Sequence, residues 1–247
     1  MQIAVASNLY GNFPALESLL WEIEKLRDRG RFISKVYVIG VLGALPYARE
    51  IFEVVSKLDE VIPVRGKLDD LIIKSDEKLE TKLPRSIEEA LRWNWDNLGV
   101  EGRKWLKNQV KPFISEKFGD YEFYFTYGNP AEPKNEVKPK MPLSYYEKIH
   151  ELFKNYKVIV VAGKEEFCIK TPYGKIVSPG PLGVKLKKNK RPVFAVIDTE
   201  TTNVHFFEIE YDEFEIKDRL EMLNFPKDIK KSIQKIFLQG KILSLKF

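Results

Sequence analysis

Three apolar runs in the first third of the chain, Ile3-Ala4-Val5-Ala6, Val36-Tyr37-Val38-Ile39 and Val61-Ile62-Pro63-Val64, each stop at a short segment that carries glycine. After the first run, Phe13, Leu16, Leu19, Leu20, Ile23 and Leu26 recur at the spacing of an amphipathic helix, and residues 46–58 read as a second helix between the other two runs. Asn12 suits an N-cap, and Pro14 is tolerated in a first turn, where its missing N–H leaves no broken bond. Repetition of strand, loop and helix restricts the chain to few folds and predicts an α/β protein with largely parallel pairing.

Further along, residues 84–110 have one helical pattern, with Trp93, Trp95 and Trp105 as core anchors. Tyr121–Thr126 alternates like a strand, and the prolines Pro130, Pro133, Pro139 and Pro142 make 129–142 an irregular surface loop. A helix over 145–153 precedes the buried-type strand Val158-Ile159-Val160-Val161. Shorter, hairpin-like strands follow near 167–169, 175–177, 193–197 and 204–209, then two helices over 212–223 and 227–238. No repeat or linker divides the sequence, so one domain over 1–247 is expected, with C-terminal helices from about residue 212.

A hydrophobic content of 44% supplies a sizeable core. There is no uncharged apolar run of membrane-spanning length, and the opening residues are too short and too uncharged for a secretory signal, so a soluble cytoplasmic protein is expected. Lys and Arg exceed Asp and Glu by only 41 to 36, which is no nucleic-acid signature in itself. Abundant Lys and Glu resemble the composition of proteins that work at high temperature. Cys168 is the one cysteine, and His150 and His205 are the only histidines, so nitrogen and sulfur ligands for a metal are almost absent.

Six segments carry a resemblance. Ser7-Asn8-Leu9-Tyr10-Gly11-Asn12 resembles the Asp-x-His-Gly-Asn box of calcineurin-like metallophosphoesterases, in particular the small bacterial and archaeal phosphodiesterase branch, and Phe13-Pro14-Ala15-Leu16 continues that branch's wording. Gly40-Val41 stands where the family has Gly-Asp, and Arg65-Gly66-Lys67-Leu68-Asp69 where it has Gly-Asn-His-Asp. Tyr127-Gly128-Asn129-Pro130 is similar to His-Gly-Ser-Pro, and Gly163-Lys164-Glu165-Glu166 to Gly-His-Thr-His. Val177-Ser178-Pro179-Gly180-Pro181-Leu182-Gly183 is similar to the family's Asn-Pro-Gly-Ser segment. The resemblance implies two stacked β-sheets flanked by helices in four layers, a β-sandwich with the site at the strand ends.

In that family the boxes hold two divalent metals that activate water and neutralise phosphoryl charge. The positions matching its metal and catalytic residues are Asn8, Tyr10, Val41, Lys67, Leu68, Tyr127, Lys164 and Glu166. Val41 replaces the bridging carboxylate with hydrocarbon, the phenols of Tyr10 and Tyr127 stay protonated near neutral pH, and Leu68 stands at the catalytic-histidine position. Lys67 and Lys164 bring cations: at about 4 Å and an effective dielectric of about 20, one unit charge opposes a divalent ion by roughly 8 kcal/mol. No catalytic residue, metal or cofactor is therefore expected, and the chain reads as an inactive, metal-free homologue of calcineurin-like phosphoesterases. A metal-dependent phosphodiesterase or phosphatase with an atypical site is the alternative. Asp69 and Asp70 are either solvated or a small oxygen-only cation site.

Three roles remain open. Arg65, Lys67 and Lys164, with backbone N–H groups of Gly11 and Asn12, would form an anion pocket for a phosphate or nucleotide; in the plainer reading Lys67 and Lys164 pair with Glu165, Glu166 or Asp69. Alternatively, Tyr121, Phe123, Tyr124, Phe125, Tyr145 and Tyr146 supply an interface for a scaffold or homo-oligomer, with about half turned inward by strand alternation. The basic run Lys185-Leu186-Lys187-Lys188-Asn189-Lys190-Arg191 is read as a solvated turn, with nucleic-acid contact the lesser reading.

Overall fold

The computed structural model describes residues 1–75, 83–133, 135–185 and 191–241. In chain order the elements are β1 (Gln2–Ser7), α1 (Phe13–Asp28), β2 (Ile33–Ile39), α2 (Ala48–Val55), β3 (Val61–Val64) and α3 (Lys67–Ile73). Next come α4 (Arg85–Asn97), α5 (Gly99–Asn108), β4 (Phe113–Phe118), β5 (Tyr121–Thr126), α6 (Leu143–Leu152) and β6 (Tyr156–Val161). The chain then runs through β7 (Glu166–Lys170), β8 (Lys175–Pro179), β9 (Val193–Asp198), β10 (Val204–Glu208), α7 (Glu213–Met222) and α8 (Lys227–Phe237).

Two five-stranded sheets result, ordered β10-β9-β1-β2-β3 and β4-β5-β6-β8-β7. Their facing sides bury Ile3, Val5, Tyr37 and Ile39 of the first against Phe123, Phe125, Val158, Val160 and Val177 of the second. At the centre of this layer the rings of Tyr37 and Phe125 lie parallel, 3.9 Å apart. The outer side of the first sheet, through Ala4, Ala6, Val36 and Val38, packs on α1 to α5, α7 and α8. Ile159, Val161 and Ile176 of the second sheet's outer side pack on Tyr146 and Ile149 of α6 and on Val137 of the proline-rich loop. The expected four layers are thus present.

Local chemistry sets the element ends. Asn12 caps α1, its side chain accepting from Ala15 N at 3.0 Å, and Gly30 in a left-handed conformation (φ 87°) closes the other end through Arg27 O.

Several expectations need correction. Pairing is not largely parallel: β1-β2, β2-β3, β5-β6 and β6-β8 are parallel, whereas β1-β9, β9-β10, β4-β5 and β7-β8 are antiparallel. The single helix over 84–110 is two, divided at Gly99, whose φ of 64° no helix interior allows. Trp95 and Trp105 are buried as anchors, but Trp93 is only half-buried. Of the aromatics offered as an interface, Phe123, Phe125, Tyr124 and Tyr146 are core residues instead, and only Tyr121 and Tyr145 reach partial exposure.

Candidate functional site at the strand ends

Beyond β1 the chain bends sharply, with Asn8 (φ 53°) and Tyr10 (φ 57°) in the left-handed region. That conformation is strained for tyrosine, and the surrounding bonds enforce it. Asn8 N donates to Ile39 O at 2.7 Å, Leu9 N to Gly40 O at 2.9 Å, and Gly183 N to Asn8 O at 3.0 Å. Ser7 Oγ donates to Gly180 O and Asn12 Nδ2 to Gly183 O, so the first and last of the six segments are laced together. The Asn8 side chain donates from Nδ2 to Gly163 O at 3.1 Å, while its buried Oδ1 has no partner. Tyr10 is 5% exposed with its ring edge-on to Phe237, and burial, then the neighbouring Tyr127 and Glu136, hold its phenol well above the ordinary value.

Val41, fully buried after β2, offers its backbone rather than its side chain. Its N–H donates to Asp69 Oδ2 at 3.1 Å, that of Leu42 to Oδ1 at 2.7 Å, and that of Gly66 to Oδ2 at 2.7 Å. Asp69 has no exposed surface, and burial pushes its carboxyl up to about 7 although the three backbone donors pull it down. Neither solvated nor open to a cation, it closes the turn between β3 and α3. From the other side the buried Asn94 of α4 donates to Gly43 O and Leu45 O at 2.8 and 3.0 Å. The loop after β2 is therefore clamped on both flanks.

The second sheet contributes Tyr127, whose ring lies over two glycines. A Cβ on Gly40 would come within 3.3 Å of that ring, and one on Gly66 within 2.9 Å of the ring and 2.6 Å of Gly40 Cα. Burial raises its phenol too, with Glu136 and Asp69 adding to the effect. Lys164 reaches Glu136 of the proline-rich loop at 3.6 Å, both side chains more than a third exposed, and Lys140 reaches Glu165 at 3.0 Å. Lys67 and Glu166 are half-buried, and Leu68 is 4% exposed.

Asn8, Tyr10, Val41, Leu68, Asp69, Tyr127 and Lys164 thus come from separate segments to one end of the two sheets, as do Lys67 at the start of α3 and Glu166 at the start of β7. The anion pocket does not assemble in the expected form. Arg65 turns away, donating to Val110 O (2.7 and 3.1 Å), Lys107 O (2.8 Å) and Leu106 O (3.3 Å) at the C-terminal end of α5, with Asp70 at 3.7 Å. Those carbonyls lack helical partners and draw the guanidinium. Gly11 N is engaged with Val41 O and Asn12 N with Leu9 O, both at 3.0 Å, so neither is available to a ligand. Lys164 pairs with Glu136, a residue outside the expected set.

Glu136 and Asn94 are the residues that sequence reasoning missed; one lies in an aperiodic loop and the other within a helix, and nothing local marks either. His150 is a core residue, bonded to Tyr156 O and Thr171 Oγ1 at 2.7 Å each, and His205 is exposed on β10. Within the basic run, 186–190 lie outside the described residues; Lys185 and Arg191 pair with Glu213 and Glu210 at 2.7 and 2.8 Å. Among the described residues, no group of three or more His, Cys, Asp or Glu could hold a metal, and no helix is long and apolar enough to cross a membrane.

The chain is similar to a hypothetical protein of Pyrococcus horikoshii, at 34% identity over 97% of this chain and 98% of that one, with a TM-score of 0.86. A metallophosphoesterase from Sphaerobacter thermophilus matches at 19% identity over 94% and 97% of the two chains, with a TM-score of 0.69. The second likeness is one of fold: paired five-stranded sheets flanked by helices are the metallophosphoesterase architecture. No protein-family model matches the chain, and no curated protein does.

Proposed function

This chain belongs to the family of the Pyrococcus horikoshii protein, and from that premise we propose that it is a phosphoesterase-fold protein without two-metal hydrolysis, retained for binding or scaffolding. The observation that carries this reading is the chemistry of the donors at the strand ends. A dinuclear centre needs several anionic or imidazole ligands and a bridging oxygen. Here the bridging position is the buried hydrocarbon of Val41, and the nearest carboxyl, Asp69, is already held by three backbone N–H groups. Two phenols with raised pKa, the Lys164 ammonium paired with Glu136, and the half-buried Lys67 and Glu166 make up the surroundings, with Asn8 Oδ1 a buried neutral oxygen without a partner. Such a set does not fit a pair of divalent cations.

A phosphate-bearing ligand would meet Lys67 and Lys164 on the rim of this site, and it would compete with Glu136 for Lys164. Binding of that kind is electrostatic, exposed and weak. The test is turnover of bis-p-nitrophenyl phosphate with added manganese, alongside metal analysis of the purified chain. We expect no turnover above buffer and less than stoichiometric metal. Manganese-dependent hydrolysis that a chelator abolishes would overturn the reading in favour of an atypical metal-dependent phosphodiesterase.

A further inference from the structure

The C-terminal helices α7 and α8 each give an apolar face to the core, Ile216 and Leu220 from the first and Ile229, Ile233, Ile236 and Phe237 from the second. Polar residues of both helices line a cleft of about 460 Å³, a volume that suits a small molecule. Its lining includes Lys217 of α7, Lys231, Gln234 and Lys235 of α8, and Leu238 and Gln239 just beyond α8.

Charge in the cleft is one-sided. The carboxylate in its lining, Glu213, already pairs with Lys185 at 2.7 Å. Lys217 holds its ammonium 4.7 Å from the centre of the Phe214 ring, and Lys231 and Lys235 are exposed. Among the described residues no carboxylate pairs with any of these three lysines. Lys231 and Lys235 stand one turn apart on α8, and Lys227 extends the row by a further turn. Like charges at that spacing destabilise a helix, and other helices of the chain pair theirs with opposite charges, Arg49 with Glu53 and Arg85 with Glu89. Lys235 gains from the C-terminal end of the α8 dipole, but Lys217 and Lys231 lie too far inside their helices to share that benefit.

We propose that this cleft is a binding site for a small molecule carrying two or more linked phosphates. Lysine meets phosphate as a point charge, and adjacent phosphates set their charges in a row as Lys231 and Lys235 set theirs. The amides of Gln234 and Gln239 supply neutral N–H donors for the remaining oxygens, and Leu238 supplies apolar contact. A nucleic-acid backbone would need a longer basic track than one cleft with three cations. Neither Lys67 nor Lys164 lines this cleft, so the proposal does not depend on what the strand ends bind or hydrolyse.

Calorimetric titration of the full chain with orthophosphate, pyrophosphate and tripolyphosphate tests the proposal. We expect affinity to rise along that series and to fall as salt is added. Lys231→Ala combined with Lys235→Ala should weaken tripolyphosphate binding by roughly tenfold or more. Both side chains are exposed and alanine favours helix, so this variant should melt no lower than the parent. Tripolyphosphate should raise the melting temperature of the parent and not that of the variant. Lys227→Ala removes the same charge one turn outside the cleft and should change affinity by less than about twofold. ATP separates the two sources of linked phosphates: binding as tight as tripolyphosphate or tighter assigns a nucleotide, and weaker binding an inorganic chain. No heat and no melting shift with any of these probes, affinity that ignores Lys231 and Lys235, or an equal loss from Lys227→Ala would each overturn the proposal. The second result would put the anion at another basic surface, such as Lys67 and Lys164, and the third would make the attraction a diffuse one.

Discussion

Where β1, β2 and β3 of the first sheet end, the loops are tied by buried groups: Asp69 to three backbone N–H groups, Asn94 to two carbonyls, Ser7 to Gly180. Where β6 of the second sheet ends, the backbone is held at Gly163 O by Asn8 and at Glu165 O by Ser178 Oγ, but the charged side chains are tied by ion pairs, Lys164 with Glu136 and Lys140 with Glu165, in which both partners stand more than a third exposed. The two halves close one site by different physics. Buried hydrogen-bonded groups are costly to leave unpaired, whereas exposed pairs add at most about 1 kcal/mol and exchange readily with solvent. One half of the strand-end site is therefore fixed, and any responsiveness to a ligand resides in the other.

Cutting the fixed half should have the largest effect. Asp69→Ala strands three buried N–H groups, and at about 1–3 kcal/mol each the expected loss is 3 kcal/mol or more by urea unfolding. The loss should depend on pH in a defined sense. Asp69 has a folded pKa of about 7, above the unfolded value near 3.8, so its contribution is fully present below the lower value and declines as pH rises through the upper one. Asp69→Ala should hence cost more at pH 5 than at pH 8, by up to about 2 kcal/mol; a cost that grows with pH would reverse the assignment.

Tyr127 joins the halves, and Tyr127→Ala empties the space above Gly40 and Gly66. A loss of about 2–3 kcal/mol is expected in the same measurement, and a variant as stable as the parent would mean that the ring fills nothing. The smallest effect should come from Lys164→Ala, within about 0.5 kcal/mol and fading as salt is raised. A larger, salt-insensitive loss there would erase the contrast between the two halves.

Much of the fold could be read from local pattern. The apolar runs at β1, β2 and β6 are buried on both faces and that at β3 is buried at its two ends; none needs a partner to be recognised, and Asn12 declares its cap in sequence. By contrast β4, Phe113–Phe118, interleaves Ser115 and Lys117 with half-exposed neighbours, and only pairing with β5 makes it a strand. The hairpin-like strands of the second half do pair antiparallel, β7 with β8 and β9 with β10, but β9 joins β1 from far along the chain, and no local feature sets the sense of that pairing. At the site, motif order located Asn8, Val41, Tyr127 and Lys164. It could not reveal that Arg65 finds carbonyls 41 to 45 residues away, or that Lys164 finds Glu136 across an aperiodic loop. Positions were legible because strands place them; partners were not, because long side chains choose them in three dimensions.

The stacking of Tyr127 on Gly40 and Gly66 also bears on how such a chain can change over time. With the ring in place neither glycine can gain even a methyl group, and with both glycines bare the groove between them favours something flat. A drift at any one of the three is penalised until the others move with it. The three positions therefore lock one another, and replacing them one at a time would pass through less stable intermediates.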